Sequence, residues 1–152
     1  MGKFAFAALA ACFVATPALA QSAVILTSAV FVEHLGHTGD GRTERQIRPA
    51  NRFASGDTVV LMVEWHTRPD GKGFYVTSPI PQTLAFTGSS REGEQVSVDG
   101  GRHWGTLGAL TVRDGYGVRL ASDEDVTNVR WPISAHEAAQ GSGRITYSAA
   151  VR

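Results

Sequence analysis

Glu33, His34, His37 and Asp40 form the one cluster of metal-ligand types in the chain. Imidazole and carboxylate together could hold zinc or copper. Their spacing matches no zinc pattern, no fourth partner is evident elsewhere, and the segment is rich in glycine. The expectation is a solvated loop without a metal. His136-Glu137 lacks the second histidine of H-E-x-x-H, so the zinc-protease arrangement fails. Serines are plentiful, but no G-x-S-x-G sets one on a nucleophile elbow. A triad needs a histidine and a carboxylate brought to that serine. Asp123-Glu124-Asp125 is an acidic run, and glycoside cleavage needs two carboxylates projecting into a cleft. The run reads better as a turn cap or a solvated stretch. No phosphate-binding loop with its lysine occurs. No catalytic, cofactor-binding or metal-binding residue is therefore assigned, and the chain is not expected to be an enzyme. A small secreted hydrolase ranks last among the readings.

Arg42, Arg45, Arg48 and Arg52 form a row that could contact anionic glycans or lipid headgroups. Glu44 interrupts it, and the whole chain balances 14 basic against 14 acidic residues. A solvated loop is the plainer reading. The balance also excludes the basic excess of a nucleic-acid-binding protein.

The first twenty residues read as an address. Lys3 gives a positive start, Phe4 to Val14 is apolar, Thr16-Pro17 breaks the run, and Ala18-Leu19-Ala20 is an A-x-A cleavage pattern before Gln21. That is a secretory signal peptide over residues 1–20, leaving one domain over 21–152 in the periplasm or secreted. The apolar run is short of the roughly 20 residues a bilayer span needs. Leu9-Ala10-Ala11-Cys12 also has the form of a lipoprotein box, with Cys12 as a lipid anchor. The short run before Cys12 and the well-formed later site disfavour it. Removing Lys3 leaves 13 basic residues against 14 acidic, a net charge of −1. Without Cys12 the domain has no cysteine, so its core alone must hold it.

Short β-favouring runs must position whatever site exists. Ala23–Glu33 is rich in β-branched residues and reads as the first strand. His34–Arg52 has no clear period and reads as a loop or meandering edge. Thr58–His66 alternates, with Val59, Leu61, Val63 and Trp65 on one face. Phe74–Thr77 and Thr83–Thr87 are short strands, the first stopped by Ser78-Pro79-Ile80-Pro81. Val96–Val98 and Leu110–Val112 read as two arms of a hairpin, with Trp104 covering its turn. Asp114–Gly117 is a further turn. Asp125–Ile133 is a strand carrying Val126, Val129 and Trp131. Ser134–Gln140 reads as one helical turn, with Ser134 as N-cap and Glu137 three residues later. Arg144–Arg152 alternates, with Ile145, Tyr147, Ala149 and Val151 inward. Seven to eight short strands with no long helix predict an all-β, immunoglobulin-like antiparallel sandwich, a closed barrel being the alternative. Trp65, Trp104 and Trp131 are expected to fill its core, each burying about 150–250 Å².

Gly56-Asp57-Thr58-Val59, Ser78-Pro79-Ile80-Pro81 with Phe86, Val126–Ile133 with its Trp131, and the closing Gly141–Arg152 together resemble the conserved-repeat, immunoglobulin-like domains of bacterial envelope and surface proteins. The resemblance covers roughly Ala54 to Arg152. Two places depart from it: His66-Thr67-Arg68 stands where the family has Asn-Thr-Gly, and Ser78 stands where it has Asp. The resemblance implies a fold and an envelope setting and no catalytic residues. Ser97-Val98-Asp99-Gly100-Gly101-Arg102-His103-Trp104 is also similar to an Asp-box, S-x-D-x-G-x-x-W. Such boxes are rigid hairpins repeated in propeller proteins. With one copy in a short chain, the expectation is structural: Asp99 accepts turn amides and Trp104 packs on the turn.

The expected role is an exported, non-catalytic binding or structural module of the envelope, partnered by an unknown envelope protein or a glycan. Its terminal strands could offer edges for pairing. A glycan-binding domain is the alternative, favoured if Trp104 or Tyr116 is solvent-accessible.

Overall fold

Apolar residues at alternate positions of Thr58–His66 require one face of that strand to be covered. Val59, Val63 and Trp65 are buried on it. The computed structural model describes residues 24–37, 39–49, 52–69 and 72–152, with the backbone alone at 34–37. The signal segment and Cys12 lie outside the described residues. The strands are β1 (Ile25–His37), β2 (Thr43–Pro49), β3 (Thr58–His66), β4 (Phe74–Pro79), β5 (Leu84–Ser89), β6 (Gln95–Ser97), β7 (Thr111–Asp114), β8 (Gly117–Leu120), β9 (Asn128–Ile133) and β10 (Ser142–Val151). One short helix, α1 (Ala135–Ala138), precedes β10. No helix among the described residues is long and apolar enough to cross a membrane.

The strands form a five-stranded sheet in the order β2-β1-β3-β10-β5, a three-stranded sheet β4-β9-β6 and a ribbon β7-β8. Every pairing is antiparallel. The two larger sheets share one core. The five-stranded sheet supplies Val32, Val59, Val63, Trp65, Phe86, Ile145 and Tyr147; the three-stranded sheet supplies Val76, Val96, Val129, Trp131 and Ile133. The chain is thus all-β and sandwich-like, as the alternating runs require.

Aromatic residues fill the gap between sheets. The Trp131 and Tyr147 ring centroids lie 5.5 Å apart, Phe86 stands 6.3 Å from Tyr147, and Trp65 meets Phe74 edge-on at 5.3 Å. Buried polar tips find partners. The Tyr147 hydroxyl is 2.9 Å from Ser78 Oγ, and Trp131 Nε1 donates to Ser89 Oγ at 2.9 Å. Burial raises the Tyr147 hydroxyl pKa, and the Ser78 hydrogen bond partly offsets it. Gly143, beside Trp65 in the β3–β10 register, leaves room for that indole: a Cβ at 143 would overlap it.

Five expectations are resolved or changed. Of the two readings of the polar stretch after Glu33, loop or meandering edge, the edge holds: β1 runs on to His37, and β2 pairs with it across a turn at Gly39–Gly41 as the outermost strand. Both faces of β2 are polar and mostly exposed, so it shows no hydrophobic period. The Val96–Val98 and Leu110–Val112 runs do not pair. β6 joins β9, while β7 joins β8 across the Asp114–Gly117 turn. A 3-10 turn at Leu107–Ala109 carries the chain away after a single bridge from Gly105 to Val96. Trp65 and Trp131 are core residues, but Trp104 lies half-exposed on the outside. The terminal strands β1 and β10 are interior, and the sheet edges are β2, β5, β4 and β6. β2 and β8 bring the strands among the described residues to ten, against the seven to eight expected.

The expected capping box is present. Ser134 Oγ accepts from Glu137 N, and Glu137 Oε2 accepts from Ser134 N at 2.9 Å. Arg91, between β5 and β6, grips the same carboxylate with both nitrogens, at 2.5 and 3.0 Å, and donates to Pro132 O. This ties α1 to the loop across the small sheet. The Arg91 hydrogen bonds, followed by the Ser134 amide, pull Glu137 from 4.5 down to about 2.

Two outcomes follow from this packing. Gly143→Ala forces Trp65 to move and should lower unfolding free energy by about 1–3 kcal/mol, read by urea denaturation. A carboxyl held lower in the folded chain stabilises above its ordinary pKa and loses that contribution as protons bind. The stability difference between the natural protein and Glu137→Gln should therefore be full above pH 4.5 and shrink toward pH 2. A difference that stays constant across that window would show that the pair contributes nothing.

Candidate functional site

β9 alternates, so Val129, Trp131 and Ile133 enter the core while Asn128, Arg130 and Pro132 face out. The outward side of the small sheet is where aromatic and charged groups converge. Thr77 on β4 and Gln95 on β6 flank Arg130 in register, with Tyr75 diagonal to it. The Arg130 guanidinium carbon stands 4.5 Å from the Tyr75 ring centre and 4.3 Å from that of Trp104. Tyr75 comes from the β4 side and Trp104 from the β6 side, so the guanidinium lies between two rings. Each such contact is worth roughly 0.5–2 kcal/mol. Arg130 Nε donates to Gln95 Oε1 at 2.9 Å.

The turn after β6 delivers Trp104. Ser97, fully buried, donates through Oγ to Asp99 Oδ1 at 2.8 Å and accepts from the Gly101 amide at 2.9 Å. Asp99 Oδ1 also accepts from the Arg102 and His103 amides, both at 3.0 Å, and Oδ2 lies 2.5 Å from His103 Nδ1. Gly100 and Gly101 are both left-handed, at φ 77° and 88°, a conformation costly for other residues. Gly100 N donates to Thr127 Oγ1, which ties the turn to the strand entering β9. Trp104 then lies over Gly101, where a Cβ would come 3.4 Å from its Cζ2. The His103 amide, then the His103 ring and the Ser97 hydroxyl, hold the Asp99 carboxyl well below the usual range. The expected Asp-box behaviour is what is seen, with Trp104 packed on its own turn and extended onto Arg130.

Other candidates separate. Glu33 pairs with Arg45 at 2.7 Å and Asp40 with Arg42 at 3.6 Å. The His34 and His37 side chains lie outside the described residues. Among the described residues no three His, Cys, Asp or Glu side chains converge. Of the arginine row, Arg45 and Arg48 lie on β2 while Arg42 and Arg52 lie outside it, and Arg48 donates to Gln46. Asp125 caps its 3-10 turn, as expected of the acidic run, and takes both Arg119 nitrogens at 2.6 and 2.9 Å. Arg119 Nε donates to Asp114, which braces the β7–β8 ribbon. Arg119 and the Ser122 amide hold Asp125 well below its ordinary pKa. Tyr116 is fully exposed at the ribbon tip. Ser97, Asp99 and His103 do meet, but the serine donates to the carboxylate and does not touch the imidazole. That order is not a nucleophile triad. An open groove of about 360 Å³ beside Glu64, His66 and Ser142 contains the Arg144–Glu64 ion pair.

Sequence reading singles out Trp104 and misses Tyr75, Gln95 and Arg130. The available signal was an arginine between Val129 and Trp131, at an outward position of an alternating strand. No protein-family model matches the chain, and no curated protein or solved structure is significantly similar to it.

Asp99→Ala removes the acceptor for two amides and the Ser97 hydroxyl. The Trp104 indole resonance should then shift toward its unfolded position while those of Trp65 and Trp131 stay, as a nitrogen–proton correlation spectrum would read. An unmoved Trp104 resonance would show that the turn does not hold the ring.

Proposed function

We propose that the chain is an exported, non-catalytic binding module of the bacterial envelope, an immunoglobulin-like sandwich whose small sheet turns its outer face to a ligand. The observation that carries this is the arginine held between two rings on a flat, accessible sheet face. Aromatic and arginine side chains on one rigid patch are the composition of recognition surfaces. Tyr75 is 54% exposed, and the strands beneath fix its position.

The immunoglobulin-like reading is supported by where the resembling residues fall. Gly56-Asp57 immediately precedes β3, Ser78-Pro79 ends β4, Trp131 is a core residue of β9, and β10 is the alternating strand after Gly141. The signal-peptide pattern over residues 1–20 supports export, with Cys12 as a discarded residue. The contact orders at Ser97–Asp99–His103 and Asp114–Arg119–Asp125 favour structural over catalytic roles for these acids. Between an envelope protein and a glycan as ligand, the exposed Tyr75 and half-exposed Trp104 favour the glycan, since flat rings stack on sugar faces.

Capture from detergent-solubilised envelope tests the reading, with the segment 21–152 as bait and the Tyr75→Ala, Trp104→Ala double variant beside it. The natural domain should retain a ligand that untagged domain competes away, and the variant should lose at least about 1.4 kcal/mol, a tenfold weakening. Equal capture by both would remove this face as the site.

A further inference from the structure

The chemistry left open at Arg130 points to a ligand class. A guanidinium offers five N–H donors in one plane. The Tyr75 and Trp104 rings both lie against it, and Nε is spent on Gln95. The Nη donors have no hydrogen-bond acceptor among the described residues, and no carboxylate lies in ion-pair range of them. Arg45, Arg91, Arg119 and Arg144 behave differently, each meeting a carboxylate at 2.5–3.0 Å. Arg130 is thus held by three neighbours on the outward side of β9, with no carboxylate on its Nη groups. That is the preorganised half of a bidentate oxyanion pair.

The surroundings select the carrier. Thr77, Gln95 and Asn128 add hydroxyl and amide groups around the fork, and Tyr75 adds an exposed ring. The exposed aliphatic side chains that would suit a protein interface lie elsewhere, Val118 and Leu120 on the β7–β8 ribbon and Ile25, Leu26 and Ile47 on β1 and β2. We infer that the Arg130 guanidinium receives an oxyanion of an acidic saccharide, a uronate carboxylate or a sulfate ester, while Tyr75 packs on the sugar ring. This rests on the reading of the small-sheet face as a binding surface and names its ligand.

The experiment uses the domain 21–152 and three polymers: alginate oligomers carrying uronate, dextran sulfate carrying sulfate esters, and neutral dextran. Titrations follow the Trp104 indole resonance, with the Trp131 resonance as an internal control. One or both acidic polymers should move Trp104 and leave Trp131 in place, and dextran should move neither. Arg130→Lys keeps the charge and loses the fork. It should weaken binding about tenfold, the loss expected for one charged hydrogen bond. Arg48→Ala, on β2, should leave the affinity unchanged. The inference is overturned if neither acidic polymer moves Trp104, if dextran binds equally, if Arg130→Lys binds as the natural domain does, or if Arg48→Ala weakens binding as much. Envelope capture that still depends on Tyr75 and Trp104 while both acidic polymers fail would leave the binding face standing and remove the saccharide oxyanion alone.

Discussion

Tyr147 joins the two sheets, and the outer surface depends on that junction. Its ring packs between Trp131 and Phe86, and its hydroxyl reaches Ser78 on the opposite sheet. Aromatic pairs of this kind add about 0.5–1.5 kcal/mol beyond area burial. An unpartnered buried hydroxyl would cost about 1–3 kcal/mol, so Ser78 is needed where a larger apolar residue would otherwise serve. Trp131 is the central residue of the central strand in the small sheet. Once it faces inward, strand periodicity leaves Arg130 no choice but to face outward. The surface site is in this sense a consequence of the core.

A side chain facing outward is not yet a site, because arginine is long and flexible. Its ordering comes from groups far apart in sequence. Gln95 takes one nitrogen, and the Tyr75 and Trp104 rings both lie against the guanidinium. Trp104 is itself fixed by a turn whose polar groups satisfy one another: Ser97 to Asp99, Asp99 to two amides, and Gly100 to Thr127. Two consecutive left-handed residues make glycine necessary at 100 and 101. The rotamer entropy that arginine would lose on binding, up to about 2 kcal/mol, is largely lost on folding instead.

What could be read from the chain tracks how local each constraint is. β3 and β10 each bury one face, and their alternation is plain in Val59, Val63 and Trp65 and in Ile145, Tyr147 and Ala149. The Ser134–Glu137 cap spans three residues and is equally legible. β2 is not, because both its faces meet solvent, and no period marks it. The pairing of β6 is not legible either, because Val96 and Leu110 look like arms around one turn. That turn closes on itself at Gly105, and the partner of Val96 is Val129, far along the chain. The Tyr75–Arg130–Trp104 stack is less legible still. Its residues come from two strands and a turn, and only the sheet register places them together.

The distribution of charge gives the last constraint. Asp99, Asp114, Asp125 and Glu137 are all held below their ordinary pKa by amides or arginines. A carboxylate stabilised in this way is a weak base near neutral pH and a poor proton donor there, because its charged form is already satisfied. These acids cap and brace turns, where their ionised form is the useful one. Arg130 is placed the other way round. Two rings lie against it without neutralising it, and its Nη donors meet no acceptor among the described residues. On the proposed reading, these braced carboxylates serve the turns, and Arg130, which meets no carboxylate among the described residues, serves an anionic ligand.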